Sequence, residues 1–249
     1  MAQQLYLEES GLQQFETTVE RRLDSRVALE ATAFYPTGGG QPHDTGTIEV
    51  GDDQWDVVDV EKKDTIYHRL DPIGEADTAP PEGATVRATL NWDRRRAHMR
   101  YHTAQHLLSA LLLNEYAAST TGNQLYDDHA HLDCEYDRFD EADLEAIETG
   151  MNELITADRA VEWYTLDRER AEAELDTDRT RIDLLPDSIR QLRIVEIAGA
   201  DGDEAPFDRT ACAGTHVSST GAIGEVIVTG RETKGSEEER IEFIFTDHR

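Results

Sequence analysis

Lysine is almost absent from this chain. Lys62, Lys63 and Lys234 are its only lysines in 249 residues, and the rest of the 24 basic side chains are arginine. Cysteine is as scarce: Cys134 and Cys212 cannot build a disulfide framework, so a reducing compartment, the cytoplasm, is expected. Long apolar runs are missing too. The longest, about Leu107 to Leu113, is interrupted by Ser109 and falls far short of the ~20 residues of a membrane-spanning helix. The opening MAQQLYLEESG has no basic region followed by an apolar one, so it is not read as a signal peptide. Aromatics are only 7% and hydrophobics 38%, yet apolar positions recur periodically among the charges, which argues for a folded chain rather than disorder. Acid, by contrast, abounds: 53 Asp and Glu leave a net charge of −29. A lysine-poor, evenly acidic surface is expected of a protein that works in molar salt, where a Debye length of about 3 Å removes the cost of self-repulsion.

The length suggests one or two domains at roughly 150 residues each. From Glu20 to about Leu90 the chain reads as short strands and turns: Arg26 to Ala33, Thr47 to Val50, Trp55 to Val60, Thr65 to Leu70 and Thr85 to Leu90. Such spacing predicts a small β-barrel or sandwich over residues 1–90. At Asn91 the pattern changes. Asp93 to Ala118 predicts one long helix with Asp93 as its N-cap and Leu107, Leu108, Leu111 and Leu112 on one face. A strand over His129 to Tyr136, a helix over Asp140 to Asp158, a strand from Val161, a short helix from Arg168, and strands at Gln191, Ile223 and Arg240 follow. Residues 91–249 therefore read as an α+β domain, and the whole as α+β with the domain boundary near 84–92.

His102 and His106 lie four residues apart on the predicted helix, which sets both imidazoles on one face. Cys212 and His216 repeat the interval within Ala211-Cys212-Ala213-Gly214-Thr215-His216. Three imidazoles and a thiolate suit Zn²⁺, which takes N and S donors in tetrahedral sites. Four such ligands could close the shell of a structural zinc, whereas a catalytic zinc keeps a position open, and the spacing leaves both open. His98, four residues before His102, reads as a helix-packing or exposed imidazole.

Beyond the ligand pattern, Tyr101-His102-Thr103-Ala104-Gln105-His106-Leu107-Leu108 resembles the HTAxHLL motif of alanyl-tRNA editing domains, and Cys212-Ala213-Gly214-Thr215-His216-Val217 resembles their CxGTHV motif. Thr32 to Gly46 is similar to the TxFYPxxGGQPxDTG segment of the same family. These motifs span about residues 30 to 220, and weaker similarity reaches Phe245. The chain thus resembles the freestanding AlaX editing proteins, in the longer form with an N-terminal barrel and a glycine-rich loop, and its charge makes it haloarchaeal-like.

The resemblance implies a β-barrel-like domain followed by a zinc-containing α+β editing domain. It implies deacylation of mischarged tRNA(Ala), chiefly Ser-tRNA(Ala), with removal of Gly-tRNA(Ala) left open and Ala-tRNA(Ala) spared. A synthetase pocket built for alanine rejects an added hydroxyl only weakly, so a second site must remove the product. The zinc ligands implied are His102, His106, Cys212 and His216. The family's serine-selecting hydroxyl maps onto Thr32, and Gly38, Gly39 and Gly40 form a loop that either approaches the substrate or is an ordinary hairpin turn. Gln105 either orients water or substrate or is a solvent-facing helix residue. Two departures stand out: Ala213 replaces the family's second glycine, and Lys234 to Arg240 is acidic where relatives tend to be basic.

A net charge of −29 opposes binding to a polyanion. The one basic island is Arg94, Arg95, Arg96 and Arg100, which is expected either to meet the tRNA acceptor stem or to balance the local acid. In molar salt, recognition of the single-stranded 3′ end would rest on shape, stacking and 2′-OH contacts. The rival reading is a non-catalytic zinc-stabilised module that binds tRNA or a synthetase.

Overall fold

Strand β2 (Gln14–Leu23) alternates along its first half: Phe15, Thr17 and Val19 are buried, and Glu16 between them is exposed. That period of two is the pleat of a half-buried strand. β3 (Arg26–Leu29), β5 (Gly46–Val50), β6 (Asp53–Lys62), β7 (Ile66–Ile73) and β8 (Thr85–Leu90) join it in a closed antiparallel barrel of order β2-β3-β7-β6-β5-β8. Closure removes unpaired edges. A short β1 (Gln3–Gln4) pairs in parallel with β4 (Ala31–Thr32), and a one-turn helix α1 (Leu5–Glu8) separates β1 from the barrel strands. The interior holds Val19, Val27, Leu29, Phe34, Ile48, Trp55, Val57, Val60, Ile66, Leu70, Val86 and Ala88. The predicted barrel over the first 90 residues is therefore present.

The structure, a computed structural model, describes residues 2–175, 179, 180, 182, 186, 189–200 and 205–249. The chain forms two units, Met1–Met99 and Arg100–Arg249, which divide inside helix α2 (Trp92–Tyr116). The expected boundary near 84–92 lies earlier because the first turns of α2 are anchored in the barrel unit. Arg95, fully buried, donates from Nε to both oxygens of Asp44 at 3.1 and 3.0 Å and from Nη1 to the Ser10 carbonyl at 2.9 Å, while its Nη2 reaches Asp44 and the Ala33 carbonyl. The N-cap differs from expectation by two residues: Asn91 Oδ1 accepts from the Arg94 amide at 3.3 Å, and Asp93 sits in the first turn, where it favours the positive end of the helix.

The second unit contains a four-stranded sheet of order β14-β15-β10-β9, made of β9 (Thr120–Leu125), β10 (Ala130–Glu135), β14 (Val226–Thr233) and β15 (Glu238–Phe245). A three-stranded sheet runs β11-β12-β13, from β11 (Val161–Asp167), β12 (Gln191–Ile197) and β13 (Asp208–Ala211). Helix α3 (Glu141–Thr156) starts on a capping box between Asp140 and Asp143 and buries Ile147, Met151 and Ile155. Helix α4 (Arg168–Glu174) packs on β11 and β12. The predicted helices and most predicted strands are there. β9 and β13, which carry little apolar periodicity, lie outside the expected strands, and so does β2, which starts before the expected strand region at Glu20. β14 begins later than predicted, because a 3-10 turn at Thr220–Ala222 absorbs Ile223.

Candidate metal centre

Every residue of α2 from Ala97 to Leu112 is buried. A helix buried on all sides is normally apolar, yet this stretch carries His102, Thr103, Gln105, His106 and Ser109. Such polar groups persist only where each has a partner. Helical spacing places His102 and His106 one turn apart, with ring centroids 5.4 Å from each other. β13 ends at Ala211, and the chain beyond it delivers Cys212 and His216 to the same place. The His216 ring lies 4.4 Å from that of His102 and 4.7 Å from that of His106. Cys212 Sγ is 3.5 Å from His102 Nε2 and 3.3 Å from His216 Nε2, and the Gly214 amide donates to the sulfur at 3.4 Å.

One donor atom from each of these four residues lies within 4.8 Å of all the others, so they could hold a metal ion. The electrostatics fit that role. Burial would raise the Cys212 thiol, but the electrostatic pull of the imidazoles around it, His102 first, and the hydrogen bonds of His102 and His106 outweigh it, so the thiol sits well below its usual value. Burial, aided by the charge of His102, pushes His216 down to about 3, which keeps it neutral. Burial also works against the charged form of His106, but hydrogen bonds to Asp208 and Cys212 raise it to about 9. The Cys212 sulfur beside the rings and the Asp208 carboxylate behind His106 supply negative charge that would compensate a divalent cation.

The outer nitrogens are also held. His106 Nδ1 is 2.8 Å from Asp208 Oδ2, and His216 Nδ1 is 3.1 Å from Thr103 Oγ1. The Val217 amide donates to the same hydroxyl at 3.3 Å, which ties the Cys212–His216 segment to α2. Neither Asp208 nor Thr103 was singled out in the sequence. Thr103 lies inside the HxxxH segment, and Asp208 stands four residues before Cys212, one acid among 53.

Known proteins are similar to this chain along most of its length. Residues 6–94 match the family described as tRNA synthetases class II (A), and residues 192–242 match the threonyl and alanyl tRNA synthetase second additional domain. The alanyl-tRNA editing protein AlaX-M of Methanosarcina acetivorans is 35% identical over 252 aligned residues, which cover 99% of this chain and 100% of the relative. The AlaX-M protein of Methanosarcina mazei is 33% identical over 99% of this chain and 98% of its own length. This chain belongs to the AlaX-M alanyl-tRNA editing protein family. The alanine–tRNA ligase of Thermococcus kodakarensis is 35% identical over 96% of this chain, but over only 25% of the ligase.

The remaining candidate residues of this AlaX-M chain are placed as follows. Thr32 is fully buried in the barrel unit, where its hydroxyl meets His68 Nε2 at 2.8 Å and accepts from the Phe34 amide at 3.1 Å. His68 Nδ1 faces the Val27 carbonyl at 3.3 Å and must donate to it, so Nε2 accepts and Thr32 donates. Burial pushes His68 down to about 4, so it is neutral. Gly38 to Gly40 enter a tight hairpin: Gly38 and Gln41 exchange backbone bonds of 3.0 Å, and Gly39 and Gly40 take φ of 59° and 80°. A two-residue turn of this hand needs positive φ at both positions, which glycine supplies without strain. Ala213 is exposed and is not among the described residues with positive φ, so alanine fits there unstrained.

Gln105 is not solvent-facing. Its Nε2 donates to the carbonyls of Gln124 at 3.1 Å and His131 at 2.8 Å, and its Oε1 accepts from Asn123 Nδ2 at 3.2 Å, fastening α2 to β9 and β10. The four arginines do not form one island. Successive helical residues point about 100° apart, so Arg94, Arg95 and Arg96 cannot share a face. Arg95 is a buried strut, and Arg100 is buried with two 2.9 Å bonds to Asp247, a 2.5 Å bond to the Ile223 carbonyl and its guanidinium 4.1 Å from the Phe245 ring. Arg96 is exposed, and Arg94 is half-buried with Nε on the His43 carbonyl at 3.2 Å. Near Lys234, the Lys234 amide donates to the Glu238 carbonyl at 2.8 Å across the β14–β15 turn, and Arg240 is committed to Asp133. No helix among the described residues is long and apolar enough to cross a membrane.

Proposed function

We propose that this chain is a trans-acting editing hydrolase that deacylates mischarged tRNA(Ala), chiefly Ser-tRNA(Ala) and also Gly-tRNA(Ala), and spares Ala-tRNA(Ala). The observation that carries the reading is full-length similarity to AlaX-M editing proteins combined with the four converging donors His102, His106, Cys212 and His216. These four would hold Zn²⁺, a Lewis acid that, when bound, can fix and polarise an aminoacyl ester or lower the pKa of a water. Thr103 keeps His216 Nδ1 occupied and leaves Nε2 facing the sulfur. Buried walls around the cluster exclude bulk water and strengthen every charge interaction inside.

Thr32 would act as the selecting group. Its proton is committed to His68, so it offers an oxygen lone pair to an incoming seryl hydroxyl. A bound alanyl group would leave that polar contact unmade, which is the basis for sparing it. Gly38 to Gly40, a turn without side chains, would let backbone approach the 3′ end. Of the arginines, exposed Arg96 and half-buried Arg94 fit phosphate contact best. The reading includes a cytoplasmic, high-salt setting, supported by free Cys134 and Cys212 and by a net charge of −29.

Four protein donors fill a tetrahedral shell, and this favours a second reading, a zinc-stabilised tRNA- or synthetase-binding module without chemistry. The test is deacylation of Ser-, Gly- and Ala-tRNA(Ala) in molar KCl with zinc. Rapid loss of Ser with Ala retained is expected. A folded, zinc-loaded protein that hydrolyses none of the three would move the conclusion to the binding module.

A further inference from the structure

We infer that Asp208 is a positioning residue for the metal site: it sets the tautomer of His106, and Arg179 holds Asp208 for that task. The inference rests on the reading of His102, His106, Cys212 and His216 as metal ligands. Asp208 is 3% exposed and opens β13. Its Oδ2 meets His106 Nδ1 at 2.8 Å. A carboxylate can only accept, so Nδ1 carries the proton and the Nε2 lone pair is left for a cation. Ligating histidines are commonly oriented in this way by a carboxylate on the far nitrogen.

Arg179 grips the carboxylate with both prongs, Nε to Oδ1 at 2.7 Å and Nη2 to Oδ2 at 2.9 Å. A two-pronged pair fixes the plane of the carboxylate as well as its position. The strand supplies the rest of the alignment. Residues two apart share a face of a strand, so Asp208 and Thr210 face inward on β13, and both are buried while Arg209 between them is not. Cys212, the next residue in that parity, is the ligand. One short strand therefore carries Cys212 in its immediate continuation and the orienting partner of His106 on its inner face. Thr180 adds a second tie, with its hydroxyl 2.7 Å from that of Thr210.

The experiment measures metal binding rather than turnover. Zinc affinity is determined by chelator competition for wild type, Asp208→Asn, Asp208→Glu and Asp133→Asn, with circular dichroism to confirm folding and the visible spectrum of the cobalt-loaded protein to report ligand geometry. Asp208→Asn is expected to weaken zinc binding by about 10–100-fold and to alter the cobalt spectrum, with partial recovery in Asp208→Glu. Asp133→Asn, which disturbs a two-pronged ion pair between Asp133 on β10 and Arg240 on β15, is expected to leave both unchanged. If Asp208→Asn fails to fold, nitrogen NMR of His106 in the zinc-loaded wild type decides the matter, since the inference requires the proton on Nδ1 and the metal on Nε2. Folded Asp208→Asn with wild-type affinity, or His106 of the zinc-loaded protein protonated on Nε2, would overturn the inference and leave the metal site standing. Wild-type protein that takes up neither zinc nor cobalt would overturn both.

Discussion

Two histidines of this chain are kept neutral by burial for different purposes. His68 sits in the barrel, at about 4 against an ordinary value of 6.5. As pH falls, the unfolded chain takes the proton first, so the barrel unit loses stability between about pH 6.5 and 4, by about 3 kcal/mol in all, while above 6.5 the group contributes no slope. Urea unfolding of wild type and His68→Gln at pH 7 and pH 4.5 checks this: the variant should show a smaller loss over that interval. The same histidine orients Thr32. Thr32→Val, which keeps the shape and removes the hydroxyl, is expected to erase discrimination between Ser- and Ala-tRNA(Ala) rather than to unfold the barrel, read as the ratio of the two deacylation rates. His216 is the second histidine that burial keeps neutral. Cys212→Ser keeps a donor of similar size but loses the low-lying thiolate, so zinc affinity should fall sharply in a competition assay while the circular dichroism spectrum is retained.

Elements show where local rules and tertiary demands meet. α3 obeys the local rules: Asp140 accepts from the Asp143 amide at 2.9 Å, and the Asp143 carboxylate accepts from the Asp140 amide at 2.9 Å. Asp140→Ala should cost about 1 kcal/mol, measured as a shift in the melting of the second unit. β5 depends on a neighbour instead. A Cβ on Gly46 would lie 2.1 Å from the Thr89 carbonyl oxygen and 2.9 Å from Leu90 Cα, both backbone atoms of β8. The strand pair cannot yield without losing ladder bonds, so Gly46→Ala should destabilise the barrel by about 1–3 kcal/mol or more, seen as a lower denaturant midpoint. α2 breaks the amphipathic rule altogether, because its polar side chains are answered from β9, β10, β13 and the Cys212–His216 segment.

At the scale of the whole molecule, charge dominates. With 53 acids against 24 bases, self-repulsion destabilises the compact state at low ionic strength and is screened in molar salt. Thermal stability is expected to rise steeply with KCl, and a melting temperature indifferent to salt between 0.1 M and several molar would count against the high-salt reading. Ion pairs that are buried should escape this dependence. Arg95–Asp44, shielded from solvent on both sides, is such a pair.

The sequence by itself determined the presence of a barrel-like first unit, the long helix and the four candidate donors, because each rests on local spacing: a period of two in strands, and intervals of four between His102 and His106 and between Cys212 and His216. It also carried the family motifs, with Ala213 in place of their second glycine. What it could not determine was burial and partnership across long separations. Four arginines close in sequence read as one basic patch, yet tertiary contacts bury Arg95 against Asp44 and Arg100 against Asp247, 51 and 147 residues away. Gln105 had two local readings and turned out to bind the carbonyls of two strands. Asp208 carried no local mark at all, and only the fold brings it to His106 across 102 residues. Spacing along a chain specifies which side chains share a face; which distant group answers them is set by packing, where a buried polar atom without a partner costs more than the fold can spare.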